Sequence, residues 1–329
     1  MGGLIEALTE RAMGALGRWG LPDQVPELLK YRENAVFKVR LGDGRPAALR
    51  LHRPTYHSPA ALASELVFMA GLYEKGIAVP LPIAAADGSL LVALPSPQAA
   101  GPHYADLIDW MEGEPLGDAG FPLPRAGRDL PMLFHGIGRE MARLHDAADA
   151  MVRPAGFERP AWDVEGLLGE APFWGRFWDC PSIAPAERDD LARLRDRLLP
   201  LLSALAPDLD YGLIHADLVR ENVFVANGAV AFIDFDDCGF GFRLFDLATA
   251  LLRNRNERDY PQLRAALLDG YLAVRGQAAA DLRHLPLFLL LRALTYIGWA
   301  AARPELPDNS ARLRRYLGDI EELARDLDI

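Results

Sequence analysis

A short polar stretch near residue 217 contains the side chains best suited to chemistry. Asp217 and Asn222 lie close together in the sequence, and Asp234 follows a short apolar segment later. Two carboxylates and an amide oxygen suit a hard cation such as Mg²⁺, which keeps several waters and binds together with substrate phosphates. We therefore predict that Asn222 and Asp234 are metal ligands. Asp217 is then left to accept a hydroxyl proton during phosphoryl transfer.

A predicted hairpin explains how these side chains meet. The apolar run from Val223 to Ala226 ends at Asn227-Gly228, a dipeptide typical of a type I′ turn because both central residues take positive φ. The return strand is predicted over residues 229–233, which places Asn222 and Asp234 at the same end of the ribbon. The alternative is a polar hairpin end at the surface, where Asp and Asn only form loops.

The order of these residues resembles that of a known enzyme family. His215-Ala216-Asp217-Leu218-Val219-Arg220-Glu221-Asn222 and Ile233-Asp234-Phe235-Asp236 match the H-x-D-x-x-x-x-N and D-F-x patterns of the aminoglycoside phosphotransferase and choline kinase family of the protein-kinase-like superfamily. Within it, the chain resembles the stress response kinase A and type II homoserine kinase branch. The resemblance implies an α+β bilobal fold, with a small antiparallel-sheet N-lobe, a mostly helical C-lobe and ATP bound between them. It also implies ATP and Mg²⁺ as cofactors, Asp217 as the catalytic aspartate, and Asn222 and Asp234 as metal ligands, Asp234 thereby taking part in catalysis.

A glutamate on a predicted helix requires a cationic partner. Ser58-Pro59 begins this helix and Gly76 ends it, and Glu65 falls within its apolar stripe. Because a buried carboxylate needs a partner, we expect Arg50 on the preceding strand to pair with Glu65. The kinase pattern has a lysine at this place, so the resemblance implies that Arg50 and Glu65 belong to the ATP site, with arginine binding phosphate. In the alternative, Arg50 is a surface residue and Glu65 is partly exposed.

Two other stretches are candidates for nucleotide binding. The G-x-G-x-x-G loop of protein kinases is missing. In its place residues 30–35, which include Tyr31, are predicted to form the first strand turn, and they resemble the S-Y-E-N-x-V-Y stretch of stress response kinase A. Residues 111–115 are the predicted hinge, where backbone groups of Asp109, Trp110 and Met111 would bind the adenine edge. An ordinary strand exit is the alternative there. The predicted domains are an N-lobe at 1–110, the hinge, and a C-lobe at 116–329 with the catalytic hairpin stretch at 211–250.

Further residues are weaker candidates for binding the acceptor. Asp236 and Asp237 could bind a second cation, orient the substrate or be solvated. Trp178 lies in an aromatic-rich stretch and could line an acceptor pocket, although core packing is the alternative. Arg292, Tyr296 and Trp299 are spaced to share one face of a predicted helix, and that face could meet the cleft, which makes Tyr296 the second weak candidate. We expect Asp246 to be structural, either capping the helix that follows or bracing the catalytic loop, as a similar aspartate does in kinase-like folds.

Periodicity and turn residues predict the remaining elements. The predicted strands are Leu28 to Leu41, Arg45 to Leu51, Leu90 to Ala93 and His103 to Trp110. The predicted helices are Leu4 to Trp19, Asp129 to Ala147, Glu187 to Leu205, Gln262 to Val274, Leu285 to Ala302 and Arg312 to Ile329.

Composition narrows the class of protein. The 329 residues carry a net charge of −11, which argues against nucleic-acid and anionic-membrane partners because these require basic surfaces. The two cysteines have no metal-binding spacing, which favours a reducing cytoplasm. We expect no signal peptide, since the N-terminus lacks a basic region before a long apolar stretch. The uninterrupted apolar run at 285–291 is too short to span a bilayer and is expected to form a buried helix.

Three functions remain open. The first is an ATP-dependent kinase of a small-molecule hydroxyl, and the second is a Ser/Thr protein kinase of the stress response kinase A type. Phe245-Asp246 follows Asp234 so closely that little room is left for a peptide-binding activation segment, and no A-P-E motif follows. The third is a nucleotide-binding regulatory module without turnover. The phosphate acceptor and the oligomeric state cannot be read from the sequence.

Overall fold

The computed structural model describes residues 2–21, 24–31, 34–95, 103–306 and 308–329. The chain forms two compact units. The first consists of Met1–Gly113, Met151–Glu158 and Ala231–Asp236, and the second of Glu114–Ala150, Arg159–Val230 and Asp237–Ile329. The fold is α+β, with an antiparallel sheet in the first unit and mostly helices in the second, as the resemblance implied.

The first unit contains a five-stranded antiparallel sheet in the order β1-β2-β3-β5-β4. Alternate residues of its strands, among them Phe37 and Leu49, are buried against Leu8 and Leu16 of the N-terminal helix. The elements of this unit are α1 Gly2–Leu16, β1 Glu27–Tyr31, β2 Ala35–Arg40, β3 Pro46–Leu51, α2 Pro59–Glu74, β4 Val92–Leu94 and β5 His103–Asp109.

One predicted strand is wrong. Within the predicted strand Leu28 to Leu41 the structure has two strands, β1 and β2, which pair with each other antiparallel. Arg32 and Glu33, in the stretch predicted to form this turn, lie outside the described residues. The predicted helix that begins at Ser58-Pro59 is confirmed as α2. The Ser58 side chain accepts a hydrogen bond from the backbone N–H of Ala61 at 3.0 Å, as an N-cap residue does.

The second unit is built mainly from helices that pack in pairs, α3 on α7 and α8 on both α6 and α9. Gly138 and Gly270 allow the first pair to approach closely, since a Cβ at Gly138 would lie 1.9 Å from the carbonyl oxygen of Leu267. The elements are β6 Glu114–Pro115, α3 Leu130–Asp149, β7 Ala161–Trp162, α4 Val164–Leu168, α5 Pro185–Leu205, β8 Tyr211–Ile214, β9 Val223–Ala226, β10 Ala229–Phe232, β11 Gly239–Phe242, α6 Arg243–Leu252, α7 Tyr260–Val274, α8 Leu285–Ala301 and α9 Asn309–Asp326.

Two small sheets, in the orders β10-β9-β6 and β7-β11-β8, accompany these helices, and the last two residues of β10 belong to the first unit. The turn between β9 and β10 has positive φ at both Asn227, +50°, and Gly228, +79°, which confirms the predicted hairpin turn.

The apolar segment before the last helix is longer than the sequence pattern indicated. Gly276–Ala301 is long and apolar enough to cross a membrane by length and composition, which differs from the prediction based on residues 285–291 alone. However, 78% of the 18-residue apolar stretch within this segment is buried inside the protein. The prediction of a buried helix is therefore confirmed.

Candidate active site

The loop after β8 carries the predicted catalytic aspartate. The backbone N–H groups of His215 and Ala216 both donate to the carboxylate of Asp246, at 2.9 and 2.6 Å. Nε2 of His145 lies 3.0 Å from the same carboxylate. All four residues are buried. One side chain on α6 therefore holds the backbone of the loop immediately before Asp217.

Asp246 acts within α6 and not at its start. The helix begins at Arg243, so the prediction that Asp246 caps it is wrong, whereas the predicted brace of the loop is confirmed. Burial alone would raise the pKa of Asp246, but the hydrogen bond and charge of His145 and the N–H of His215 lower it. The loop is thus held by an ionised acceptor.

The carboxylate of Asp217 is bound at both of its oxygens. Nη2 of Arg292 in α8 lies 2.6 Å from Oδ1, and Nδ2 of Asn222 donates to Oδ2 at 3.0 Å and to the Asp217 carbonyl oxygen at 2.9 Å. Asn222 ends a single 3-10 turn, Arg220–Asn222, and is buried. Because its amide nitrogen is bound to Asp217, the amide oxygen is the atom that would hold a cation, which fits the predicted metal role.

The contact with Asp217 was not predicted for Arg292, which the sequence analysis placed only on a helix face that could meet the cleft. Arg292 is fully buried within the apolar helix α8. Burial would lower the pKa of Arg292, but interactions with Tyr296 and Asp217 raise it above its usual value, so the side chain is a cation. The available signal was a single charge interrupting a long apolar run. Its partner lies 75 positions earlier, which spacing alone cannot reveal.

In the first unit, Arg50 is bound by two carboxylates. Its Nη1 donates to Glu65 at 2.7 Å, which confirms the predicted pair and contradicts the alternative of exposed side chains. Its Nε and Nη2 both donate to Asp106 at 2.8 Å, and Nε2 of His52 lies 2.6 Å from the same carboxylate. The sequence analysis missed Asp106, which lies directly opposite Arg50 in the pairing of β3 with β5.

The predicted metal ligand Asp234 lies in the same unit and has a left-handed backbone, with φ +66°. Nζ of Lys30 lies 3.5 Å from its carboxylate. The neighbouring Asp236 is buried and accepts a hydrogen bond from Nδ2 of Asn34 at 3.2 Å. Burial and the negative charges of Glu65 and Asp234 raise the pKa of Asp236 to about 6.

The predicted nucleotide residues lie at the ends of two strands. Tyr31 is the last residue of β1 and is 51% exposed. Asp109 is the last residue of β5, followed by Trp110 and Met111. The backbone N–H of Asp109 donates to the carbonyl oxygen of Leu81 at 2.9 Å. That N–H is therefore already used within the fold.

The predicted acceptor-binding residues of the second unit have protein partners. Asp237 accepts a hydrogen bond from Nε1 of Trp174 at 3.1 Å. The guanidinium carbon of Arg195 lies 4.4 Å from the ring centre of Trp178. Tyr296 is buried, with its ring beside Arg292. Their role in acceptor binding stays a prediction.

In the part of the chain that the structure describes, no three or more His, Cys, Asp or Glu side chains form a group that could hold a metal ion. Mg²⁺ also accepts amide oxygens, phosphates and water as ligands, so the metal roles of Asn222 and Asp234 stay predictions.

Comparison with known proteins identifies relatives over most of the chain. A family model described as the phosphotransferase enzyme family matches residues 25–284. A homoserine kinase of Chelativorans sp. (strain BNC1) is 33% identical over 245 residues, which cover 71% of this chain and 68% of that protein.

Two solved structures share the fold. The microcompartment-associated aminopropanol kinase is 30% identical, with a TM-score of 0.82, and the match covers 96% of this chain and 97% of that one. Amicoumacin kinase hAmiN, in complex with AMP-PNP, Ca²⁺ and Ami, is 22% identical, with a TM-score of 0.76 and coverage of 98% and 96%. At that identity the second match shows likeness of fold alone.

Proposed function

The chain belongs to the phosphotransferase enzyme family, and from this premise we propose which of its residues transfer the γ-phosphoryl group of Mg-ATP. The enzyme is an ATP-dependent kinase whose acceptor is a hydroxyl group of a small molecule. In this proposal Asp217 binds and deprotonates the acceptor hydroxyl, while Asn222 and Asp234 hold Mg²⁺.

The observation that carries the proposal is the fixed carboxylate of Asp217. Oδ1 is bound to Arg292 and Oδ2 to Asn222, and each oxygen keeps a second lone-pair direction for the acceptor. The hydroxyl oxygen forms a bond to the γ-phosphorus as the bond to the bridging oxygen of ADP breaks, and its proton passes to Asp217. A carboxylate fixed before the substrate binds needs little reorganisation in the transition state.

Asn222 and Asp234 supply the amide oxygen and the carboxylate proposed to hold Mg²⁺. When bound, Mg²⁺ neutralises charge that develops on the phosphates and the leaving group. The left-handed backbone of Asp234 supports a functional role, since conformations of this kind are concentrated at active sites and ligand clamps.

For the nucleotide we propose contacts from the first unit. Arg50 uses three of its N–H groups on Glu65 and Asp106, which supports a role in anchoring β3 to α2 and β5 and leaves two N–H groups for phosphate. Because the N–H of Asp109 is bound to Leu81, the adenine contact falls mainly on the next backbone groups. The proposed nucleotide residues are Arg50, Glu65, Tyr31, Asp109, Trp110 and Met111.

We propose that the acceptor is an amino alcohol or a hydroxy amino acid. Relatives are named as kinases of homoserine and of aminopropanol, and a chain of net charge −11 favours a substrate that carries an amino group. Asp236, Asp237, Trp178 and Tyr296 are the weaker candidates for its pocket. A peptide acceptor is disfavoured, because β11 ends at Phe242 and α6 begins at once.

The cytoplasm remains the proposed location, which is supported by two cysteines, Cys180 and Cys238, that are free and buried.

Asp217→Ala tests the catalytic assignment. We expect kcat to fall by about 10²- to 10⁴-fold, the range typical of losing a positioned proton acceptor. Nucleotide affinity should change by less than about twofold, because Asp217 is assigned to the acceptor hydroxyl and not to the nucleotide. The measurement is ADP release from Mg-ATP with L-homoserine, 1-amino-2-propanol, ethanolamine or casein as acceptor, together with the Kd for ADP.

The matched control is Asp190→Ala, since Asp190 is an exposed aspartate on α5 paired with Arg193. It should keep the wild-type kcat. Equal turnover in Asp217→Ala and wild type would exclude Asp217 as the catalytic residue. Phosphorylation of casein alone would exclude these three small molecules as acceptors and favour a protein acceptor.

A further inference from the structure

Helix α8 places a guanidinium group among aromatic rings. The side chain of Arg292 is fully buried, and its central carbon lies 4.5 Å from the ring centre of Tyr296, 4.6 Å from that of Trp174 and 5.3 Å from that of Phe245. The faces of such rings attract a cation. We call these three rings the aromatic cage of Arg292.

Arg292 makes its side-chain hydrogen bonds through one nitrogen, Nη2. Nη2 lies 2.6 Å from Oδ1 of Asp217 and 3.2 Å from the hydroxyl oxygen of Tyr296. Nε and Nη1 are buried without a hydrogen-bond partner among the described residues. The rings therefore set the position of the guanidinium, and one edge of it reaches the carboxylate.

Stability alone gives little reason for a charge at this place. Replacing a buried ion pair by apolar side chains of similar volume is often neutral or stabilising. Arg292 nevertheless lies in a helix whose neighbouring residues are almost all apolar, and it meets the carboxylate proposed to bind the acceptor. This combination indicates a role in catalysis.

We propose that Arg292 is a positioning residue that fixes the orientation of the Asp217 carboxylate, an inference that rests on the proposed catalytic role of Asp217. The aromatic cage holds the guanidinium, the guanidinium holds Oδ1, and Asn222 holds Oδ2. Because the two oxygens are held from different elements, the carboxylate cannot rotate freely. The acceptor hydroxyl then meets a lone pair of fixed direction.

The test compares Arg292→Met and Arg292→Lys with a matched control, Arg303→Met. Arg303 is also buried, and its guanidinium carbon lies 4.6 Å from the ring centre of Trp299. The readouts are kcat and the KM for Mg-ATP, with L-homoserine and 1-amino-2-propanol as probe acceptors. Mg-ATP hydrolysis by water is used if neither acceptor is phosphorylated. Circular dichroism checks folding.

Arg292→Met should lower kcat by about 10- to 100-fold, because a misplacement on the order of 1 Å has an effect of that size. The KM for Mg-ATP should stay within about twofold of wild type, since Arg292 acts through Asp217 and not through the nucleotide. Arg292→Lys keeps the charge on a shorter side chain and should recover part of the loss, to about 3- to 10-fold below wild type. Arg303→Met should keep the wild-type kcat.

A double variant separates positioning from a general loss of structure. In an Asp217→Asn background, Arg292→Met should lower kcat no further, because residues that act as a unit are not additive. Multiplied losses in the double variant, or equal losses in Arg292→Met and Arg303→Met, would overturn the inference. If Arg292→Met does not fold, Arg292→Lys decides, and a kcat within about twofold of wild type overturns the inference.

The same experiment distinguishes this inference from the proposed function. Full activity in Asp217→Asn would remove the catalytic role of Asp217 and the inference with it. Loss of activity in Asp217→Asn together with wild-type kcat in Arg292→Met would overturn the inference alone.

Discussion

Ala216 and Asp234 hold backbone conformations that residues with a Cβ rarely adopt. Their φ angles are +65° and +66°. Such conformations cost roughly 1–3 kcal/mol each and persist where the surroundings fix them. At Ala216 the contact that fixes the left-handed conformation is visible, because the Ala216 N–H donates to the carboxylate of Asp246. Asp217 is the next residue. The strained backbone at Ala216 thus helps to position the side chain of Asp217, the proposed catalytic residue.

Substitutions at Ala216 test this explanation. Ala216→Gly should relieve a left-handed penalty of about 1–2 kcal/mol, offset by about 0.5–1 kcal/mol of lost chain entropy, so stability should be unchanged or slightly higher. Ala216→Val should destabilise by about 2 kcal/mol or more, since a branched side chain is strained there and overpacks a fully buried site. Urea unfolding measures both variants. A glycine variant less stable than the valine variant would contradict the explanation.

The sequence predicted the residues of the site that belong to one local pattern. Asp217 and Asn222 share one loop, so their hydrogen bond follows from spacing that the pattern fixes. The contacts of Arg292 with Asp217 and of Asp106 with Arg50 were missed for the opposite reason. Their partners come from other elements, and only the packing of α8 and the pairing of β3 with β5 brings them together.

At the scale of elements, Arg50 joins three parts of the first unit. It bonds Glu65 in α2 and Asp106 in β5 from its own place in β3. Burial would raise the pKa of Asp106, but the charges of Arg50 and His52 outweigh it and lower the pKa to about 2. The folded carboxylate is therefore ionised under ordinary conditions.

Asp106→Asn should destabilise the protein by about 3–5 kcal/mol at pH 7, because it leaves the buried Arg50 with one carboxylate partner fewer. The folded-state pKa of Asp106 lies below 3.8, the usual value of an aspartate in an unfolded chain. The stability from this charge is thus complete above that value and is lost as the pH falls towards about 2. The gap in the free energy of unfolding between wild type and variant should shrink as the pH falls from about 4 to about 2, as measured by urea unfolding.

Asp87→Asn is the control for this prediction. The pKa of Asp87 is also lowered to about 2, chiefly by hydrogen bonds from Ser89, but its side chain is 48% exposed beside Arg18. Solvent screens an exposed pair, so little stability should be lost. Equal losses in both variants would contradict the importance of the buried network.

Elements were predictable where their signals are local. Ser58-Pro59 begins α2 and Asn227-Gly228 forms the hairpin turn, because capping and positive φ depend on the residue types themselves. The break between β1 and β2 was predicted only in part. A turn was placed at residues 30–35, but one strand was extended across it from Leu28 to Leu41, since no glycine or proline separates β1 from β2. Their separation depends on pairing within the sheet, which a single run of residues does not reveal.

At the scale of the whole molecule, the family resemblance predicted the α+β fold, but not which segments join each unit. Residues 151–158 and 231–236 belong to the first unit. The N–H of Glu158 donates to Oγ of Ser64 at 2.9 Å, and the N–H of Phe232 donates to the carbonyl oxygen of Ala78 at 3.0 Å. Contacts between distant residues decide such membership, and a sequence pattern does not contain them.

The stability of the whole chain offers a test of the metal assignment that does not depend on knowing the acceptor. AMP-PNP at about 100 times its Kd should add about 2.7 kcal/mol, which corresponds to a rise of about 4 °C in the unfolding temperature of a chain of this length. Most of this rise should require Mg²⁺ and disappear with EDTA, because the cation compensates the repulsion between phosphates and the carboxylate of Asp234.

Asp234→Asn should lose much of the Mg²⁺-dependent part of the rise, while Asp87→Asn, at an exposed site, should keep all of it. Differential scanning fluorimetry with AMP-PNP, with and without EDTA, measures both parts. A rise of equal size in EDTA would show that the nucleotide binds without the cation. A full Mg²⁺-dependent rise in Asp234→Asn would instead show that the cation is held by other residues.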